Sequence, residues 1–324
     1  MLRSWEERYT SGVIELWNRE ATKDGYKEWT EQSFQQIITG SPYFKENLAY
    51  VLLDRDVVKG FICGCTGEDL PLGDRAGYLT ALILDSSIQE DQYFLILLEA
   101  LESQLKISGK KQMDCLFFNP MKLPWYIPGT PHHEHNNAPG IPVESRLYAI
   151  LLMYGYIERA EQCAMYLNLD SFDYPDVMLT KEQAARENGY VVELFDKERH
   201  DGISEMLSAF NNPLWDQEIT ASAANGTSFV AAIYDGQCIG FAGPVIRQEN
   251  GRGYFAGIGV MEEHEGHGLG SILFFKLCEA FKDMGTEYMS LFTGSNNPAL
   301  RIYKKAGFQH VKTFSTMRKE FSDE

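Results

Sequence analysis

A glycine-rich turn in the second half of the sequence has the residue types of an anion site. Residues 254–260 predict a strand, which continues into Glu265-Gly266-His267-Gly268-Leu269-Gly270-Ser271 and then an apolar helix. Glycines at such a junction let several peptide N–H groups point to one centre, and the helix N-terminus adds about half a positive charge. Together they fit a pyrophosphate. The turn lacks the Lys-Ser/Thr of a P-loop and the spacing of GxGxxG.

A second polar and aromatic stretch follows the next predicted strand, at residues 288–293. Residues 296–308 read N-N-P-A-L-R-I-Y-K-K-A-G-F. With the glycine turn, this stretch resembles the GNAT N-acyltransferase superfamily, whose motifs are V-x-P-x-x-[QR]-x-x-G-x-[GA] and N-x-x-A-x-x-[LI]-Y-x-x-x-G-F. The first motif matches at Val260, Gly268 and Gly270, whereas Glu262 replaces its proline and Glu265 its Gln/Arg. The second motif matches at Asn296, Ala299, Ile302, Tyr303, Gly307 and Phe308.

The resemblance implies that acetyl-CoA is the co-substrate and that no metal takes part. The turn would hold the pyrophosphate, and the end of the preceding strand would hold the pantetheine arm and polarise the acyl carbonyl. The residues implied for this binding are Val260, Met261, Glu262, Glu265, Gly266, His267, Gly268, Leu269, Gly270, Ser271, Asn296, Ala299 and Tyr303.

The resemblance also implies a set of catalytic residues. Tyr303 would protonate the leaving thiolate, and Asn296 would bind the pantetheine arm or a water molecule. Glu262 is a candidate for the base that accepts the proton of the amine, as are Glu263, His264 and a chain of water molecules. Each assignment has a structural alternative: Tyr303 in a core, Asn296 as a helix N-cap, and the charged cluster as a solvated turn.

The two halves of the chain follow one plan. Residues 47–64 and 227–243 each predict a β-hairpin, and helices are predicted at 91–106 and 268–283. The same interval separates Gly77 from Gly253 and Gly109 from Gly285. We therefore expect an α/β (α+β) fold of two tandem GNAT-like domains, each a mixed twisted sheet flanked by helices. The predicted domains are 1–170 and 189–324, with a linker at 171–188.

The first half lacks the equipment for CoA. The segment after its corresponding strand, residues 86–93, contains no glycine and two acidic residues, and Leu151 stands where the second half has Tyr303. We interpret residues 1–170 as a degenerate domain that shapes the substrate cleft without binding CoA.

A Pro/Gly/His-rich insertion at residues 123–145 distinguishes the first half. Its residues His132, His133, Glu134 and His135 have metal-binding side chains, but they lack a distant partner at a familiar spacing. A surface loop that contacts substrate is the favoured interpretation over a metal site. Trp125 and Tyr126 would line a pocket or anchor the loop.

Composition limits the partners. The net charge of −17 disfavours nucleic acid and anionic membranes, and it fits an amine substrate. The N-terminus has no signal-peptide pattern and no apolar run reaches the length of a membrane span, so we expect a cytoplasmic monomer or homodimer. Six scattered cysteines predict reduced core thiols.

These observations predict an N-acetyltransferase that moves an acetyl or other acyl group from acyl-CoA to a primary amine of a small molecule or peptide, by direct attack. Two alternatives stay open: a catalytically inactive CoA-binding sensor, and an enzyme similar to mycothiol synthase that acylates a sugar amine.

Overall fold

The computed structural model describes residues 1–322, which form two compact units. The first contains Met1–Ala164, Phe292–Ser295 and residues 311–322; the second contains Met165–Leu291 and Asn296–His310. The sequence predicts two contiguous domains, 1–170 and 189–324, whereas each unit of the structure combines separate segments. Residues 323–324 of the second predicted domain lie outside the described residues. In the structure the last strand of the chain joins the first unit, because its pairing partners are there.

The first unit is a mixed sheet with helices on both faces. Its helices are α1 (Thr10–Glu20), α2 (Glu31–Phe34), α3 (Gln92–Ile107) and α4 (Arg146–Met153). Its strands are β1 (Leu2–Ser4), β2 (Phe44–Asp54), β3 (Val57–Cys65), β4 (Ala76–Leu84), β5 (Gln112–Cys115), β6 (Trp125–Tyr126), β7 (Glu134–His135), β8 (Ile141–Pro142) and the first part of β9 (Ile157–Asn168). Short helical turns lie at Glu7–Tyr9, Ala21–Asp24 and Gln35–Thr39.

The predicted hairpin of the first unit is confirmed. Strands β2 and β3 are antiparallel and join at Arg55 and Asp56, both with positive φ, as a two-residue hairpin turn requires. Strand order is β1-β2-β3-β4-β5-β17, where β17 is Gln309–Glu320, and β9 follows β17. Strand β4 runs parallel to β5 only from Ala76 to Tyr78 and then pairs with β3 alone. The sheet therefore splays open after Tyr78.

Two buried clusters hold this unit together. On one face Trp17 stacks on Trp29 with ring centroids 3.8 Å apart, above the strands at Phe61. On the other face α3 contributes Leu97, Leu101 and other apolar residues, and Met317 of β17 lies among them. The C-terminal strand is thus part of the core of the first unit.

Ion pairs fix β17 beside β5. The fully buried Asp114 accepts a hydrogen bond from Arg318 Nε at 2.8 Å and one from Gln112 Nε2 at 2.6 Å. Lys319 Nζ donates to both oxygens of Glu102, at 2.8 and 3.0 Å. A charge as deeply buried as Asp114 is tolerated only with such partners.

The predicted insertion at 123–145 is anchored rather than loose. Trp125 is 2% exposed, and its indole N–H donates to the carbonyl of Asn137 at 3.1 Å. His135 is buried against Trp125, and Glu134 forms an ion pair with Lys27 at 2.6 Å. Within residues 1–322, no group of three or more His, Cys, Asp and Glu side chains is arranged to bind a metal.

The second unit has five helices and a split set of strands. The helices are α5 (Asp176–Glu187), α6 (Ile203–Phe210), α7 (Pro213–Asn225), α8 (Leu269–Asp283) and α9 (Leu300–Lys305). The strands are β10 (Tyr190–Leu194), β11 (Val230–Tyr234), β12 (Gln237–Gly243), β13 (Ile246–Arg247), β14 (Arg252–Tyr254), β15 (Gly257–Val260) and β16 (Tyr288–Gly294). Leu169–Ser171 and Glu262–His264 are short 3₁₀ turns.

The hairpin, the helix and the strand at 288–293 are confirmed, whereas the strand predicted at 254–260 is broken at residues 255–256 into β14 and β15. Strands β11 and β12 meet at Asp235 and Gly236, both with positive φ, and α8 covers most of the predicted 268–283. The predicted linker contains α5, which belongs to the second unit because its Glu182 pairs with Lys276 of α8 at 3.4 Å.

The second unit splays as the first does. Strand β14 runs parallel to β16 at Arg252 and Gly253, whereas β15, three residues on, pairs only with β12. Strand β15 is the edge of a four-stranded sheet of order β10-β11-β12-β15. One of its sides therefore presents backbone groups without a strand partner within the described chain.

None of the six cysteines, all within the described residues, forms a disulfide; five of them are buried and Cys163 is half-buried. This agrees with the predicted reduced thiols. Among the helices of residues 1–322, none has the length and apolar content that a membrane span requires.

Candidate functional site

The glycine turn lies where the edge strand β15 passes into α8. Gly266 and Gly268 have φ of 85° and 74°, a conformation that other residues adopt only with strain. A Cβ added to either glycine would meet nothing within 4 Å, so open space surrounds them. The two glycines are therefore required by backbone conformation, and the space beside them is free for a ligand.

Five successive peptide N–H groups, from Gly266 to Gly270, have no hydrogen-bond acceptor within the described residues. The 3₁₀ turn before them is satisfied, since Glu265 N–H donates to the Glu262 carbonyl at 3.2 Å. The helix begins with the Ser271 N–H, which donates to the Gly268 carbonyl at 3.1 Å. These five donors at a helix N-terminus form a cradle for an anion.

A cluster of aromatic rings holds the turn in place. The hydroxyl of Tyr190 lies 3.2 Å from Nδ1 of His264, and the ring of His267 lies 4.7 Å from that of Tyr190. Tyr234 packs against His264 at 5.3 Å between ring centroids. The turn is thereby fixed to strands β10 and β11.

Large aromatic side chains cover one face of β15. Trp215 of α7 donates from its indole N–H to the Ala256 carbonyl at 3.2 Å. A Cβ added to Gly257 would lie 2.2 Å from Trp215, and one added to Gly259 would lie 2.9 Å from Phe210. The glycines of β15 therefore let an aromatic wall approach the edge strand.

Tyr303 is buried in α9, with 7% exposure, and its ring contacts Phe274 of α8 at 4.8 Å. The Tyr303 hydroxyl makes no hydrogen bond within the described residues. It is not among the fully buried side-chain atoms without a partner there, which are Trp5 Nε1, Trp29 Nε1 and Thr286 Oγ1, so the hydroxyl reaches solvent. Burial raises the pKa of Tyr303, so the phenol keeps its proton. The Tyr303 hydroxyl is therefore available as a hydrogen-bond donor, and its ring packs against α8, the helix that follows the glycine turn.

Helix α9 lies close to the turn. A Cβ on Gly270 would be 4.0 Å from Cδ1 of Ile302, the residue before Tyr303. Ala299 is the N-cap of α9, and its N–H donates to Oδ1 of Asn297 at 2.9 Å. Helix α9 therefore begins without a side-chain cap, so the cap function that the sequence offered to Asn296 is not observed, and Asn296 is exposed in the turn after β16.

The predicted site residues divide into three groups by position. Val260 ends the edge strand and Met261 follows it. Residues 265–271 form the glycine turn and the start of α8. Asn296 lies in the turn before α9, Ala299 is the N-cap of α9, and Tyr303 lies within it. Glu262 and Glu263 are exposed on the 3₁₀ turn between strand and cradle, and Glu265 is exposed within the loop. The roles assigned to these residues stay predictions.

Sequence reasoning missed a second carboxylate near the splayed strand. The hydroxyl of Tyr254, the last residue of β14, donates to Glu218 of α7 at 3.5 Å. Burial, followed by the charge of Glu218, raises the pKa of Tyr254. Gly257 and Gly259 of β15 were a signal in the sequence that large side chains could pack against this strand. No local sequence pattern indicated that Trp215, Glu218 or Tyr190 would lie near it.

The cradle and the edge strand fit the parts of acetyl-CoA that the sequence implied. Free N–H groups suit the pyrophosphate, and an unpaired strand edge suits the amides of a pantetheine arm. Glu265 immediately precedes the cradle and brings an acidic side chain beside it.

Comparison with known proteins gives a family match for the second half of the chain. The family model described as "Acetyltransferase (GNAT) family" matches residues 185–308. No curated protein matches the chain at a significant level.

Solved structures share the fold. The chain is similar to the GCN5-related glucosamine N-acetyltransferase region of a fungal multi-domain GH3 β-N-acetylglucosaminidase, with TM-score 0.67 and 14% identity over 98% of this chain and 38% of that one. It is similar to a GCN5-related N-acetyltransferase from Sphaerobacter thermophilus, with TM-score 0.63 and 12% identity over 99% and 95% of the two chains.

A third similar structure is a tandem GNAT protein from the clavulanic acid biosynthesis pathway, with TM-score 0.59 and 12% identity over the full length of both chains. That structure extends the likeness to both units. Residues 185–308 therefore belong to the GNAT acetyltransferase family, and the chain as a whole has the fold of tandem GNAT proteins.

Proposed function

We propose that the chain transfers an acetyl or other short acyl group from acyl-CoA to a primary amine, at the site in its second unit. The observation that carries the proposal is the row of five free N–H groups from Gly266 to Gly270, beside an unpaired strand edge. The family match supports acyl transfer as the reaction class.

Acetyl-CoA would supply the acyl group as a thioester. The cradle would hold its pyrophosphate and the edge of β15 its pantetheine arm, with the N–H groups at Val260–Glu262 polarising the acyl carbonyl. The neutral amine forms the new C–N bond as the C–S bond breaks, and Tyr303 gives its proton to the leaving sulfur. The amine then loses one proton to a base.

Two carboxylates are candidates for that base. Glu262 begins the 3₁₀ turn that follows the edge strand β15, and Glu218 accepts a hydrogen bond from Tyr254, the last residue of β14. Either one would also attract a cationic amine before it loses its proton. The acceptor class therefore includes small amines, peptides and amino sugars, and the fungal neighbour named for glucosamine acetylation favours testing an amino sugar.

The test is isothermal titration of the full chain with CoA and acetyl-CoA, followed by an acetyl-transfer assay against a panel of amines. We expect one site per chain, abolished by Gly268→Glu. Gly285→Glu is the matched control, because Gly285 lies at the other end of α8 with the same φ of 74° and the same open surroundings. Equal loss of binding in both variants, or binding that survives Gly268→Glu, would contradict the cradle assignment.

A further inference from the structure

Helix α7 lies beside the break between strands β14 and β15. Strand β14 ends at Tyr254 and β15 begins at Gly257. The indole N–H of Trp215 donates to the carbonyl of Ala256, within the break, at 3.2 Å. Three residues later on the same face of the helix, Glu218 accepts a hydrogen bond from the Tyr254 hydroxyl at 3.5 Å. These two contacts fasten α7 along the place where the sheet opens.

The Trp215 indole fills the space that side chains on β15 would otherwise take. Successive residues of a strand point to opposite faces, so Gly257 and Gly259 share one face. A Cβ on Gly257 would lie 2.2 Å from Trp215 Nε1, and a Cβ on Gly259 would lie 3.1 Å from Trp215 Cζ3. The indole is therefore in contact with bare backbone, and shortening it would open space directly against the strand.

The indole is held in this position by its surroundings. Its ring packs edge-on against Phe210 and Phe241, with ring centroids 5.4 and 5.2 Å away. The backbone N–H of Trp215 donates to Oδ1 of Asn212, the N-cap of α7, at 3.3 Å. Trp215 is only half-buried, so part of this fixed ring is accessible to a ligand.

The acyl group of the proposed reaction comes within reach of the indole. The Met261 N–H donates to the Ile239 carbonyl of β12 at 2.8 Å. Consecutive N–H groups of a strand point to opposite sides, so those of Ile258 and Val260 point to the free edge of β15. Val260, which is proposed to help polarise the acyl carbonyl, directly follows Gly259, which the indole covers. A carbonyl bound at Val260 is therefore about one residue, roughly 3.3 Å along the strand, from the covered position.

We propose that Trp215 limits the acyl group to acetyl or propanoyl, an inference that rests on the function proposed above. An acetyl group ends before the indole, whereas a longer chain meets a ring that Phe210 and Phe241 hold fixed. Deleting the indole would leave a cavity lined by those two rings and by glycine backbone. Apolar cavities of about 150 Å³ take up a ligand with the six carbons of benzene, and the deleted indole opens a space of that order, enough for a hexanoyl chain.

The test is isothermal titration of the full chain with CoA, acetyl-CoA and hexanoyl-CoA, which requires no amine acceptor. We expect wild type to bind hexanoyl-CoA at least about tenfold more weakly than acetyl-CoA. Trp215→Ala should shift the ratio of the two dissociation constants by about 10- to 100-fold in favour of hexanoyl-CoA, because each buried methylene is worth about a fourfold gain. A general loss of affinity cancels in this ratio, and CoA, which has no acyl group, reports whether the site is intact.

Further variants separate an acyl limit from a structural role. Trp215→Phe and Trp215→Leu open less space and should shift the ratio in the same direction by smaller amounts. Leu214→Ala is the control, because Leu214 is 50% exposed on the same helix, and its ratio should equal that of wild type.

Three results would overturn the acyl limit. They are equal binding of the two acyl-CoAs by wild type, an unchanged ratio in the Trp215 variants that bind CoA, and loss of CoA binding in every Trp215 variant, which would make this residue a support of the CoA site. Failure of wild type to bind CoA itself would contradict the proposed function, and the acyl limit with it.

Discussion

The hydroxyl of Tyr190 lies 3.2 Å from Nδ1 of His264, and through this contact the first strand of the second unit holds the glycine turn. The rings of Tyr190 and His267 are also in contact, at 4.7 Å. A preorganised loop loses less conformational freedom on binding, so these rings should contribute to cofactor affinity without touching the cofactor.

Replacing Tyr190 with Phe should therefore weaken CoA binding. Loss of one hydrogen bond corresponds to about a two- to tenfold rise in Kd. Isothermal titration measures it, and Tyr234→Phe is the control, because the ring of Tyr234 packs on the same His264 and no hydrogen bond of its hydroxyl is formed within the described residues. A larger rise in the control than in Tyr190→Phe would refute the positioning role.

Tyr303→Phe should remove the acid and leave the packing against Phe274. We expect kcat to fall by about 10²- to 10⁴-fold with little change in the Kd of CoA. Because burial raises the pKa of Tyr303, wild-type activity should not lose this proton donor below about pH 10. Steady-state kinetics measured across pH test both points, and Tyr50→Phe in the first unit is the control. An unchanged kcat in Tyr303→Phe would refute the role of Tyr303 as the acid.

Glu265→Gln should tighten CoA binding. Glu265 is exposed beside the cradle, where a carboxylate repels the phosphates. Removing an exposed charge should lower the Kd by about two- to fivefold at low salt and less at high salt. Glu263→Gln on the preceding 3₁₀ turn should have a smaller effect. Titrations at two ionic strengths decide the point, and a Kd that rises in Glu265→Gln would contradict the expected repulsion.

Stability should fall in alkaline solution. Burial raises the pKa of Cys65 and Cys238 to about 12, and raises those of Cys63, Cys115 and Cys278 further. In the unfolded chain these thiols ionise near 9.0, so above that pH the unfolded state releases protons that the folded state keeps. Each thiol lowers the free energy of unfolding by up to about 1.4 kcal/mol per pH unit.

Urea unfolding at pH 7.5 and pH 10 measures this loss. Cys63→Ala should show a shallower decline than wild type, because one titrating thiol is gone. Equal stability of the wild type at the two pH values would mean that the thiols are not buried as described.

The buried carboxylate of Asp114 should be critical for attaching the last strand to the first unit. Asp114→Ala removes the partner of Arg318 and should cost about 3 kcal/mol of stability. Arg8→Ala is the control, because Arg8 and Glu6 form an exposed pair, for which an effect of about 0–1 kcal/mol is usual. Thermal unfolding compares the two, and a small loss in Asp114→Ala would argue against the strand placement.

The local features that the sequence predicted are those set by backbone conformation. The glycine turn before α8 and the hairpin turn at Asp235-Gly236 depend on neighbouring residues alone, and both turns are present. The duplicated plan was visible because glycines recur at a constant interval. The strand edges that open beside β4 and β15 were not visible, since a splay depends on which strands stop pairing.

The sequence alone predicted a glycine turn that leads into a helix, the placement of Tyr303 on a later helix, and two halves that follow one plan. Only the tertiary structure decided that residues 311–322 complete the first unit, that Tyr190 and Trp215 lie beside the site, and that α7 spans the break between β14 and β15. The physical reason is range: turns and helix ends are fixed by contacts within a few residues, whereas strand partners and aromatic walls come from residues distant in the chain.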